Sequence, residues 1–529
     1  VVVALGALAA CARCGGAAGP PPERFVPGDV AAAVIVPELR SAARSLGELY
    51  SIANDFPGTS DLPGLRASLS AQVGFDPLDL SALRDAGIDP RGGMALAWPP
   101  PATDRAGGRP APLVVLPVSN RAAAEAFVRR VATERLGAVE RSSEVVGPAQ
   151  VTVYRERPGG PAALSVAEGD GTFVLSTGPR GPDAVARAVA LLPAASLAGS
   201  EPWQAARRAA GSDAAIIGYL PPGSPTLAAF WPARDGVALA LFAEARKLHG
   251  RLAVLLGDRE PGFAALAGEA EAGGGGGRLA ARLDPSAALV GRWDGTPAAM
   301  GTKLVPMIPA PERARLRAAG VDLNDLFEAL GSGAAASVSL APRIELSTMD
   351  AGNLRRDPLR LVQFELVARL RDPSRIAALS ERVARLFGQR AKGPPWSVPT
   401  ASGAVAWAID GDRLVAAGGA PGRLAALRAR LGEATGGYRA PTDDARRALA
   451  AGGLGAMVLD TRNAAASVRA LPPEAFGSGP TGFVMRSLVG RFVEPAERID
   501  AATLRAALAP GALVLSLDVE PGAPEDRSP

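Results

Sequence analysis

Apolar positions along this chain recur with two different periods, and each period predicts a different element. Leu39, Ala42, Ala43, Leu46 and Leu49 return every three or four residues, which places one stripe on a helix. Residues 31–36 form instead a short apolar run between Asp29 and Pro37, the mark of a buried strand. Further strands are predicted near 94–98, at 113–118, at 151–154 and at 214–220. A run at 237–243 reads as a strand or as a helix start. Asn120 stands where a helix N-cap belongs, ahead of a helical pattern reaching Leu136. The runs 163–166 and 173–176 flank Asp170-Gly171, a pair that tolerates positive φ, so they predict a hairpin. A helix over 182–192 follows.

The same order returns later. A strand is predicted at 287–293, another around Val338, and another at 361–367. Asp372 takes the place of Asn120 as an N-cap, with a helix to Leu386. Runs 404–409 and 414–416 flank Asp410-Gly411 as a second hairpin. A helix at 423–431 and strands at 457–459 and 513–519 complete the series. Local identities accompany this order. Gly74-Phe75-Asp76-Pro77-Leu78-Asp79-Leu80 returns as Gly320-Val321-Asp322-Leu323-Asn324-Asp325-Leu326, and Ala206-Arg207-Arg208-Ala209 as Ala445-Arg446-Arg447-Ala448. Gly178 returns as Gly418, at the offset that separates the two Asp-Gly pairs. Internal self-similarity is the trace of a repeated structural unit. The expected fold is α+β: two similar tandem domains of antiparallel sheet packed with helices, from internal duplication. Their expected bounds are 29–268 and 283–520, joined by a Gly-rich linker at 269–282. The five glycines at 273–277 lack the spacing of a phosphate-binding loop. Residues 521–529 read as a disordered tail.

Composition narrows the chemistry. At 529 residues two or more domains are expected. Aromatic residues are 5% of the chain, so the core must come mainly from Ala, Leu and Val. A net charge of +4 over this length is too dilute for a nucleic-acid footprint, and no nucleic-acid partner is expected. One histidine and two cysteines remove most zinc, iron and copper sites, and no cofactor is expected. His249, within Ala245-Arg246-Lys247-Leu248-His249-Gly250-Arg251, reads as part of a helix C-terminus rather than as a catalytic base. The carboxylate pairs Asp76/Asp79 and Asp322/Asp325 admit a cation loop, but the residues after them read as helix starts, which favours capping. Trp396, inside Gly393-Pro394-Pro395-Trp396-Ser397-Val398-Pro399, is a candidate partner contact, against the commoner alternative of packing beneath its own loop. Arg313, Arg315 and Arg317, with Arg355-Arg356, are basic clusters that suit anionic headgroups or a solvated face.

The first ten residues are all apolar or Gly, and Leu8-Ala9-Ala10 precedes Cys11. This resembles the lipobox of bacterial lipoproteins. The resemblance implies a signal-peptide remnant at 1–11, lipidation of Cys11 and, with Ala12 after it, delivery to the outer membrane. An ordinary signal remnant, or a redox or metal pair of Cys11 with Cys14, are the alternatives. Residues 12–28, rich in Gly and Pro, read as a flexible tether. With the Pro-rich spacer, Phe25-Val26-Pro27-Gly28-Asp29 and the Gly-Phe-Asp-Pro-Leu element, the chain resembles duplicated cell-envelope lipoproteins of bacteria, a family that brings no activity with it. The expected function is therefore that of a non-enzymatic extracytoplasmic lipoprotein binding a protein partner or a hydrophobic ligand. It would be held by its N-terminal lipid at the periplasmic face of the outer membrane or at the cell surface. A carboxylate-based hydrolase and a structural envelope protein are the alternatives. Metabolic labelling with palmitate is expected to mark the wild-type protein and to leave Cys11→Ser unmarked; an unlabelled wild type refutes the anchor.

Overall fold

The computed structural model describes residues 19–522 apart from 55–63, 65, 68, 69, 71–75, 77, 78, 101–111, 225–234, 245, 246, 258, 259, 268–274, 342, 343, 345–357, 389–392, 434, 435 and 478. Two compact units divide between Leu256 and Gly257. The first contains strands β1 (Ala32–Val36), β2 (Met94–Trp98), β3 (Leu113–Pro117), β4 (Glu140–Val146), β5 (Ala149–Arg155), β6 (Ala162–Gly169), β7 (Thr172–Thr177), β8 (Ile216–Leu220), β9 (Val237–Glu244) and β10 (Lys247–Leu255). They pair in the order β4-β5-β6-β7-β3-β2-β1-β8-β9-β10, antiparallel at every step. Helices α1 (Leu39–Asn54), α2 (Leu80–Asp85), α3 (Arg121–Leu136), α4 (Gly181–Val189) and α5 (Glu201–Ala210) cover its faces.

Alternation along the strands decides which residues each helix meets. On one face α5 sets Trp203, 1% exposed, edge-on to Tyr219 of β8 with ring centroids 5.3 Å apart. On the other, Leu39 and Ala42 of α1, Leu83 of α2 and Phe127 and Val128 of α3 form a core cluster with Val36, Leu164 and Val166.

The second unit contains α6 (Glu260–Ala267), α7 (Gly276–Ala280), β11 (Leu289–Trp293), α8 (Pro297–Leu304), α9 (Ala310–Ala318), α10 (Leu323–Ala329), β12 (Leu330–Leu340), β13 (Val362–Leu370), α11 (Pro373–Leu386), β14 (Trp396–Thr400), β15 (Gly403–Asp410) and β16 (Arg413–Gly419). It continues with α12 (Arg423–Gly432), α13 (Asp443–Ala450), β17 (Gly455–Asp460), α14 (Thr461–Arg469), α15 (Gly479–Ala496), β18 (Ile499–Ala509) and β19 (Ala512–Pro521). Its strands pair in the order β14-β15-β16-β13-β12-β11-β17-β18-β19, again all antiparallel. With edge strand β4 set aside, the two orders agree strand for strand. α+β architecture with antiparallel sheet is the fold class read from the sequence.

Local chemistry starts and stops the elements. Asn120 accepts from the Ala123 N–H at 3.2 Å and Asp372 from the Arg375 N–H at 3.0 Å, each capping a helix. In the first hairpin Asp170 and Gly171 have φ of 49° and 72°, the pair of positive values a type I′ turn requires. The second hairpin turns one residue later. Asp410 pairs with Arg413, and Gly411 leads the turn with φ 61°, so the turn chemistry differs although the Asp-Gly pair is shared.

Several expected boundaries are corrected. Pro22–Phe25 form a 3-10 turn rather than tether, because Phe25 and Val26 are buried apolar side chains and Glu23 is ion-paired to Arg207 at 2.6 Å. Gly276–Ala280, expected within a flexible linker, are helix α7, with Leu279 and Ala280 in the core of the second unit. Pro521 pairs with Ile499, and the Gly522 N–H donates to the Arg498 carbonyl at 2.7 Å; the remainder of the expected tail lies outside the described residues. Strands β4 and β18 had no expectation, the start of β10 was read as a helix end, and β14 as a loop. β4 reads Glu-Arg-Ser-Ser-Glu-Val-Val, β10 opens on Lys247, and β18 is Ala-rich, so none shows a clean apolar alternation.

Urea denaturation is expected to show a loss of about 3–5 kcal/mol for Trp203→Ala, from the cavity it leaves. For Asn120→Ala the expected loss is about 1 kcal/mol, from the missing cap.

Candidate functional site

The residues singled out in the sequence fall into different surroundings. Cys11 lies outside the described residues, as do Gly74, Phe75, Pro77, Leu78 and Arg355-Arg356. Trp396 is not an exposed contact. It opens β14, is 4% exposed, and lies opposite Trp407 with ring centroids 6.4 Å apart, because cross-strand neighbours share a face. His249 is in β10, not at a helix end; its ring is buried 4.5 Å from that of its cross-strand partner Phe242.

Each of the paired carboxylates is occupied where it stands. Asp79 caps α2, accepting from the Ser81 N–H at 2.8 Å, and Asp322 caps α10, accepting from the Asn324 N–H at 2.9 Å. Hydrogen bonds from the Ser81 hydroxyl and N–H hold the Asp79 carboxyl below its usual range. Asp76 pairs with Arg66, and Asp325 with Arg375. Among the described residues no group of three or more His, Cys, Asp or Glu is placed to hold a metal ion. No helix among them is long and apolar enough to cross a membrane.

The first unit holds a cavity of about 700 Å³ between α3 and strands β4–β7. Its charges compensate one another: Arg121 lies 2.9 Å from Glu125 and 3.1 Å from Glu168, and Arg141 3.8 Å from Glu125. Burial pushes the Tyr154 phenol up, against the pull of Arg141 and Arg129, and keeps it neutral.

An apolar surface with no such compensation lies on the second unit. On one face of β11, β17, β18 and β19 the register aligns Leu289, Leu459, Ala502 and Val519 in one row. Gly291, Met457, Leu504 and Leu517 form the next. Met457, Leu459 and Leu517 are 40%, 40% and 42% exposed. Contiguous apolar surface of this kind marks an interaction site more often than scattered apolar residues do. Sequence patterning registered three of these strands but not the rows, because β18 was missed and rows exist only through pairing.

The corresponding strands of the first unit carry a helix. α1 contacts β9 and β10, and its Leu39 and Ala42 cluster with Ile216 of β8, while Leu239 on the same face of β9 stays 53% exposed. In the second unit α8, which follows β11, contacts α10, α6 and β12 instead, while α9 buries none of its residues. α6 reaches the Trp293 end, where the Leu266 carbonyl accepts from the Thr296 N–H at 2.8 Å, and contacts β18, while α14 contacts β18, β12 and β17.

The opposite face of this sheet is held by buried ions. Asp284 accepts from the Ser286 hydroxyl and N–H at 2.7 and 2.9 Å, from Ser339 at 2.9 Å, and from Arg423. Arg430 of α12 donates to Glu365 of β13 at 2.6 Å. Arg292 pairs with Asp294 and donates to carbonyls at the end of α13, while Asp294 accepts from the Gly276 N–H at 2.8 Å.

No protein-family model and no curated protein matches this chain. Solved structures of TP0453 resemble part of it. Crystal form IV aligns at 12% identity over 44% of this chain and 80% of that one, with a TM-score of 0.24. Crystal form I aligns at 13% identity over 46% and 81%, also at 0.24. Nothing about this chain's activity follows from a likeness of that size.

Burial alone opposes ionisation of Asp284, but the bonds from Ser286, Arg423 and Ser339 outweigh it and hold the carboxyl below its ordinary 3.8. The unfolded chain therefore takes up this proton first as pH falls. The contribution is complete above that value and is lost on acidification through the lower folded value. Acid titrations followed by circular dichroism are expected to show Asp284→Asn with a shallower loss below pH 3.8. The same variant is expected to be less stable by about 2 kcal/mol at neutral pH.

Proposed function

We propose that this protein is a non-catalytic binding protein of the bacterial cell envelope, anchored by lipid on Cys11, whose second unit receives an amphipathic helix of a partner protein. The single observation that carries this reading is the pair of apolar rows across β11, β17, β18 and β19. A helix is the occupant because the equivalent strands of the first unit are met by one, α1, through its apolar stripe. An amphipathic helix laid on an apolar surface is a recurring mode of recognition. The agreement of the two strand orders supports an origin by duplication, in which α1 meets the equivalent strands of the first copy and leaves Leu239 exposed. The lipobox and the Gly- and Pro-rich segment after it support placement at the periplasmic face of the outer membrane or at the cell surface.

A photo-crosslinking residue at Leu459, in the native host envelope, is expected to give one discrete protein adduct that maps to an amphipathic helical segment. The same probe at Arg84 of α2 is expected to give none. Met457→Asp with Leu517→Asp is expected to abolish the adduct while shifting the unfolding midpoint little, since both side chains are exposed. An adduct with lipid alone would replace the helix by a hydrophobic ligand; the absence of any adduct overturns the reading.

A further inference from the structure

The second unit has another concavity, on the helix-bearing face of its sheet. Its volume is about 550 Å³, and five arginines line it: Arg278, Arg282, Arg369, Arg413 and Arg439. No carboxylate is among its lining residues. This contrasts with the cavity of the first unit, where acids and bases are matched. Arg369 and Arg413 are direct cross-strand partners on β13 and β16. Like charges at such positions repel and destabilise the pairing. Two of the five have limited compensation. Arg413 lies 3.5 Å from the exposed Asp412, and Arg282 donates to the Glu433 carbonyl. Arg278, Arg369 and Arg439 form no ion pair among the described residues.

The site is also shaped around one of these side chains. A Cβ at Gly275 would stand 2.5 Å from Arg369 Cζ and 2.6 Å from its Nε and Nη2. Gly333, with φ +98°, would bring a Cβ to 3.4 Å from Arg369 Cδ. Glycine at these two positions therefore opens a slot for the guanidinium. Asp294, paired to Arg292, holds the Gly276 N–H and so fixes this wall.

We infer that this basin binds a multiply charged phosphoryl group. Guanidinium groups suit phosphate because their planar forks donate in pairs. Several of them within one concavity of this size exceed what a singly charged carboxylate would neutralise. The basin lies away from the apolar rows: Arg369 shares a face with Val367, two residues earlier, which is buried beneath α7, α12 and α13. It stands or falls independently of the partner helix.

The test uses the full chain at physiological ionic strength. Titration calorimetry with inorganic pyrophosphate probes a free phosphate source. Flotation with vesicles of phosphatidylcholine, with and without phosphatidic acid, probes a lipid headgroup. Binding in either arm is expected, with a rise in the unfolding midpoint on adding the bound species. R369Q/R413Q is expected to weaken it by about tenfold or more. Arg413→Gln alone is expected to keep or raise the unfolding midpoint without ligand, because it relieves the like-charge pair. R278Q/R439Q, two exposed positions, carries the test if the strand variant fails to fold, and Arg84→Gln controls for net charge. Pyrophosphate binding lost in the basin variants assigns a free phosphate; binding confined to phosphatidic acid vesicles and lost in the same variants assigns a headgroup. No binding in either arm, or binding unchanged in both basin variants, overturns the inference.

Discussion

A strand sends alternate residues to opposite faces, so a sheet with apolar residues on both faces needs cover on both. Each unit of this protein is such a sheet. The first meets the demand with α4 and α5 on one side and α1, α2 and α3 on the other. The second has α7, α12 and α13 over one face and α10 and α11 over part of the other, and α14 contacts β18, β12 and β17. On β17 and β19 Met457, Leu459 and Leu517 remain exposed. The apolar rows are thus the part of a covering problem that the helices of the second unit leave open, and that is why they read as a place for something to dock.

The covered faces hold together in a manner suited to the composition. With few aromatic residues the core is built from Ala, Val and Leu, and small side chains allow helix and sheet to approach closely. Ion pairs then lock the layers. Arg423 reaches from α12 to Asp284, Arg430 reaches to Glu365 on β13, and Arg292 joins β11 to the end of α13. Buried ions of this type resist removal of one partner more than they raise net stability, so their role is to set where each helix lies. In the basin near α7 the same residue type is largely left without acidic partners, Arg413 beside the exposed Asp412 being the exception, which separates recognition from scaffold.

Much of the architecture was legible beforehand. The N-caps Asn120 and Asp372, the Asp170-Gly171 hairpin and the apolar runs of β1, β2, β3, β13 and β17 are decided by interactions within a few residues, and they stand where their local chemistry places them. His249 and Trp396 were not legible in this way. Their own neighbours in sequence suggested a helix end and an open loop, whereas their positions come from pairing with Phe242 and Trp407. The same holds for Phe25 and Val26, which read as tether until a core is present to receive them.

The sequence by itself determined most of the element types, the α+β class, the repeated order and the scarcity of histidine and cysteine, since all of these follow from residue identity and short-range periodicity. Only the tertiary structure decided which strands neighbour one another, that apolar residues from four of them form continuous rows, and that arginines from separate segments converge on one concavity. Those are properties of register and of which face a strand turns outward. Both are set by contacts between residues far apart in the chain, to which a local pattern is blind.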